Sequence, residues 1–134
     1  MHQGIQAAFK DDALREWGCY FFCLMRWGEL LTKSSYSDDD IINYFNECKI
    51  KGVVEDDCFV INPVAVLNGL LDYPQFKSVA KTFVEPKQDI FVVYQKKPGY
   101  GHFTLSEYGY TWDSLLPNRH TADGFVVDSY RVIT

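Results

Sequence analysis

The spacing of apolar positions changes its period halfway along the chain. In the first half they recur every three or four residues. Residues 5–15, IQAAFKDDALR, predict a short helix, and after a break at Gly18 a second helix is predicted from Cys19 to about Lys33. Tyr20, Cys23, Leu24, Trp27 and Leu31 form one stripe of that second helix, and Phe21, Phe22, Met25 and Leu30 widen it. A helix apolar over so much of its circumference belongs in the middle of a fold. A third helix is expected after Ser37, a cap followed by Asp38, Asp39 and Asp40 in the first turn, with Gly52 as its stop and Ile41, Tyr44, Phe45 and Cys48 facing inward. The stretch INPVAVLNGLLDYP predicts a fourth, capped by Asn62, begun by Pro63 and ended by Pro74.

The second half reads differently. KSVAKTFV, DIFVVYQ, YGHFTLSEY, YTWDSL and FVVDSYRVI are short, β-branched or aromatic, and separated by Pro-Gly, Tyr-Gly or Asp-Gly turn signals. Helices followed by a meandering antiparallel sheet make an α+β domain. With 134 residues, 47% of them hydrophobic, residues 1–134 are read as one autonomous domain.

Charge and composition remove several classes of function. The net charge of -5 and a pI near 5.0 disfavour a phosphate-tracking surface, and Lys96 and Lys97 alone make a small basic spot. No run approaches the length of a membrane span and the N-terminus lacks an export signal, so a cytoplasmic protein with no nucleic-acid or membrane partner is expected. The acidic groups at 38–40 and 55–57 lack the spacing of a calcium loop. Cys19, Cys23, Cys48 and Cys58 are then expected as free thiols.

Cys19 stands in the first turn of a buried helix, where free N–H groups and the helix dipole stabilise a thiolate and can hold an oxyanion. Such a nucleophile needs a base, and of His2, His102 and His120 only His102 falls on a predicted strand. A hairpin turning at Glu107–Tyr108 sets residue 102 opposite Asp113; one turning at Tyr108–Gly109 makes the pair diagonal but keeps it on one face. A carboxylate there would fix the imidazole tautomer, with Asn118, Asp123 and above all Asp128 as rivals for the role. The competing readings are a core-filling Cys19 beside a merely satisfied His102, and a zinc site from Cys19, Cys23, His102 and His120. The zinc reading is poorly matched by Cys-x3-Cys within one helix, so no metal and no cofactor are expected. Trp17, Tyr100 and Tyr110 are candidates for a substrate groove.

The order of EWGCYFFCL, YGHFTL and TWDSL resembles the papain-like cysteine peptidase superfamily, and more closely the small, mostly uncharacterised papain-like domains of phages and spirochaetes, relatives of the bacteriocin-leader (double-glycine) peptidases. This resemblance implies a papain-like fold with Cys19 as nucleophile, His102 as general base and acid, and Asp113 as orienting group. It also implies cleavage of an amide or thioester bond in a peptide or protein substrate through an acyl-enzyme. The chain departs from that pattern where the family carries a Gln shortly before its Cys, because those places hold Arg15, Glu16 and Trp17. Gln6, folded back from the preceding helix, is the candidate to complete the oxyanion hole. A degenerate member that binds a peptide or protein without cleaving it, and an acyltransferase using the same triad, are the alternatives. Substrate and oligomeric state stay open.

Overall fold

A computed structural model of the chain describes residues 1–116 and 124–134. A 3-10 turn at Ile5–Ala8 leads into four helices, α1 (Asp12–Trp17), α2 (Cys19–Thr32), α3 (Asp38–Ile50) and α4 (Pro63–Asn68). Five strands follow, β1 (Val79–Thr82), β2 (Ile90–Lys97), β3 (Tyr100–Glu107), β4 (Tyr110–Trp112) and β5 (Val126–Ile133). The fold is α+β, with every strand pair antiparallel.

Local chemistry explains where the helices start. The Asp11 side chain accepts from Leu14 N and caps α1. Ser37 and Asp40 satisfy one another's backbone N–H groups in a full capping box before α3. Asn62 accepts from Ala65 N ahead of Pro63. The single helix expected over 5–15 is instead a 3-10 turn and a separate α1, because Asp11 prefers to cap rather than to continue a helix. α4 is also shorter than its sequence pattern, closing at the Gly69 C-cap well before Pro74.

α2 is the centre of the core. Phe21, Phe22, Cys23, Leu24 and Met25 are fully buried, Phe22 meets Phe9 edge-on and Phe21 meets Phe45 in the same way. Leu31, expected on the buried stripe, is partly exposed at the helix end. Two turns into α2, Arg26 grips Glu107 at the end of β3 with Nε donating to Oε2 at 2.8 Å and Nη2 to Oε1 at 3.0 Å. Such a two-pronged contact fixes orientation as well as distance, so the helix is held in register on β3.

The sheet order is β1-β5-β2-β3-β4, which corrects the plain meander. Only β2, β3 and β4 follow one another; β5 returns across the sheet and inserts between β2 and β1. Turn signals specify which strands are hairpin neighbours but say nothing of which open edge a later strand will take. Here the edge of β2 is filled by β5, with a register shift at Tyr94/Gln95.

Candidate active site

Gly18 separates α1 from α2 and allows Cys19 to begin the new helix. A Cβ at position 18 would run into the Leu14 carbonyl oxygen, so only glycine lets the two helices abut this closely. No side chain caps α2 and no acidic residue occupies its first turn. The partial positive charge and the first N–H groups of this 14-residue helix are therefore left facing the Cys19 side chain.

His102 arrives from β3, which lies against α2. The hairpin turns at Tyr108–Gly109, both with positive φ (52° and 85°), and Glu107 pairs with Tyr110. This is the diagonal arrangement. Asp113 follows the end of β4 and remains on the face of His102, whose Nε2 donates to Asp113 Oδ1 at 2.7 Å. Both side chains are buried, and the same Oδ1 accepts from Leu115 N at 2.9 Å. With Nε2 engaged by the carboxylate, the imidazole's other nitrogen is left for Cys19, which lies close enough to act on the ring's protonation.

The balance of forces on His102 follows from that geometry. Burial works against the charged ring, but the hydrogen bonds and charges of Asp113 and Cys19 outweigh it and raise the imidazole from its ordinary 6.5 to about 9. The other three cysteines have no such company. Burial pushes Cys23 and Cys48 upward, and Cys58 to about 12. All four thiols are free.

The segment that carries Asp113 is tied to the N-terminal residues. Asp113 N donates to Gln3 Oε1 at 3.1 Å, Gly4 N to Asp113 O at 3.0 Å, and Gln6 N to Ser114 O at 2.9 Å. Gln6 is buried, with Oε1 accepting from Ser114 Oγ at 2.6 Å and Nε2 donating to the Arg15 carbonyl at 3.1 Å. Its carboxamide thus braces the acid's loop against α1 and is not among the residues lining the groove at Cys19.

That groove encloses about 570 Å³. Trp17 and Cys19 form part of its wall together with Phe59, Val79, Lys81 and Arg131. Trp17 was the expected groove residue that the fold brings there. Tyr100 and Tyr110 lie elsewhere, exposed beside the β2–β3 and β3–β4 turns respectively and absent from the groove wall. Asp128 is directed to Lys96 Nζ at 3.4 Å and accepts from Ser129 Oγ, so it does not serve His102. Asn118, His120 and Asp123 lie outside the described residues. Among the described residues no group of three or more His, Cys, Asp or Glu side chains is arranged to hold a metal ion, and no helix is long and apolar enough to cross a membrane. Phe59, Lys81 and Arg131 had no local signal in the sequence; their only marks were an aromatic in a polar loop and two cations on strands.

No curated protein and no solved structure matches the chain. A family model does match residues 5–134, nearly the whole length and all of the Cys19, His102 and Asp113 framework. The chain belongs to the family described as "Protein of unknown function, DUF261".

Proposed function

We propose that the protein is a papain-like cysteine hydrolase that cleaves an amide or thioester bond in a peptide or protein through an acyl-enzyme. One observation carries this reading: a helix-first-turn thiol at the wall of an open groove has beside it a buried imidazole that is itself hydrogen-bonded to a buried carboxylate. Cys19 as thiolate adds to the substrate carbonyl carbon, and the first N–H groups of α2 receive the developing oxyanion. Imidazolium His102 gives its proton to the departing amine or thiol as the C–N or C–S bond breaks, leaving an acyl-thioester on Cys19. Neutral His102 then takes a proton from water, the hydroxide adds to the thioester, and its C–S bond breaks. Acid product leaves, and the thiolate and imidazolium are restored. Asp113 holds the ring in the tautomer both steps need. Four free thiols suit the reducing interior of a cell, the cytoplasm, as the place of action.

The test is the rate at which iodoacetamide alkylates Cys19 as a function of pH, followed by mass spectrometry, in the native protein and in His102→Ala. Alkylation at pH 6–7 about 10²-fold faster than a free thiol, and lost in His102→Ala, is expected. Equal, slow rates in the two proteins refute the reading.

The position of Gln6 favours a second reading. Because its carboxamide is engaged by Arg15 and Ser114, Gln6 does not complete an oxyanion hole at the groove. A module with the same scaffold that binds a peptide without cutting it would retain full affinity in Cys19→Ala, and turnover of the bound peptide by the native protein would exclude it. Transfer of the acyl group to an amine rather than water uses the same residues.

A further inference from the structure

Lys81 on β1 and Arg131 on β5 are directly paired across the ladder, so both side chains emerge on one face, and both line the groove that begins at Cys19. Like charges in that relation destabilise a sheet. Among the described residues neither is in an ion pair with a carboxylate. Asp128, whose charge Lys81 also feels, is directed to Lys96 and Ser129. Among the described residues Asp57 is the one carboxylate on the groove wall, and its Oδ1 accepts from Phe59 N at 3.1 Å. In a chain of net charge -5, this wall is cationic.

Arg131 is held ready rather than loose. Its Nη1 donates to Ser129 Oγ at 2.8 Å and to the Tyr130 carbonyl at 3.3 Å, and its guanidinium lies 5.7 Å from the ring centres of Phe103 and Tyr94. Phe103 stacks on Tyr20 at 4.3 Å, and the Tyr20 hydroxyl is buried with no hydrogen-bond partner among the described residues. A guanidinium set over two rings, whose Nε and Nη2 have no hydrogen-bond partner among the described residues, is suited to a carboxylate, which it can take in two parallel hydrogen bonds.

We propose that Lys81 and Arg131 form an anion subsite, so that the groove accepts a substrate with a carboxylate close to the bond presented to Cys19. Trp17, Phe59 and Val79 would cover its apolar part. This rests on Cys19 being the nucleophile and adds the substrate class to that reading. The carboxylate belongs either to an acidic side chain or to the free end of a peptide.

Bromoacetyl peptides that alkylate Cys19 separate these cases. One pair is bromoacetyl-Leu-Leu with a free carboxylate and its amide; the other is bromoacetyl-Glu amide and bromoacetyl-Gln amide. All rates are normalised to those of glutathione. In at least one pair the anionic member should react about 5-fold to 10-fold faster than the neutral one, a single modest ion pair's worth. The preferred pair identifies the source. That preference should fall several-fold in Lys81→Met, an exposed position on the edge strand that leaves the fold intact, and in Arg131→Met, with Arg131→Lys between. The preference is read within each variant as the ratio of the anionic to the neutral probe's rate, so a change in the neutral rate common to both probes divides out. No anionic preference, or one that survives both methionine variants, overturns the subsite. Neutral probes that react no faster with Cys19 than with glutathione overturn the nucleophile reading beneath it, a separate result.

Discussion

Two successive turns of α2 present the same residue type in opposite conditions. Cys19 opens the helix at the groove wall, half-buried beside His102. Cys23, one turn on, is fully buried, and its thiol is driven far toward the neutral form by loss of solvent. The difference teaches that reactivity here is a property of position. Uncapped N–H groups, an imidazole and an opening to solvent converge on the first turn, while the second offers only packing.

The largest expected effect breaks the comparison outright. In the proposed hydrolase, Cys19→Ala abolishes turnover, whereas Cys23→Ala leaves the alkylation rate of Cys19 unchanged; labelling each folded protein and mapping the modified peptide decides between them. Asp113→Asn comes next. By disturbing the His102 tautomer it should lower turnover by about 10²-fold to 10⁴-fold, with circular dichroism checking that the fold survives loss of the carboxylate. A native-like rate in that variant would remove Asp113 from the triad.

Stability shows the converse asymmetry. Cys23→Ser places a hydroxyl in an apolar site and should cost about 1–3 kcal/mol in urea unfolding, while Cys19→Ser, with access to the groove, should cost less. Equal losses at the two positions would contradict the burial difference.

The smallest effect sharpens the comparison through pH. The folded His102 holds its proton up to about 9 against an ordinary 6.5, so the folded state binds that proton more tightly than the unfolded chain. Its contribution to stability is complete below about pH 6.5 and declines as pH rises through 9. The stability gap between native protein and His102→Gln should shrink across that window. A gap that stays constant or widens would mean that the imidazole is not held charged.

Much of the first turn was legible before any coordinates. Gly18 as a break, Cys19 as the first helical residue and Ser37 as the cap of α3 are local signals, carried by neighbours in the chain, and the structure follows them. The His102–Asp113 contact was legible because hairpin geometry ties the two together within eleven residues. What could not be read depends on distant pairings. The insertion of β5 beside β2 brings Arg131 across from Lys81, and no turn residue encodes that edge. The Gln6 side chain was expected at the oxyanion, but its partners Ser114 and Arg15 become neighbours only once the sheet end meets α1. Exposed tyrosines were poor guides for a related reason: amphipathic rings suit hairpin turns and grooves alike.

The contacts between the N-terminal residues and the Asp113–Ser114 segment have a consequence for how the molecule comes into being. The Gln3 and Gln6 side chains meet residues 110 and 108 positions later in the chain. Closing loops of that size is slow compared with winding a helix or zipping a hairpin. During synthesis α2 and its nucleophile are complete while the ribosome has yet to reach the strands that bear histidine and acid. Chemistry therefore waits for topology: the proposed catalyst is assembled only when the N-terminal residues and the Asp113–Ser114 segment have found each other, and a nascent or partly folded chain carries a thiol without its base.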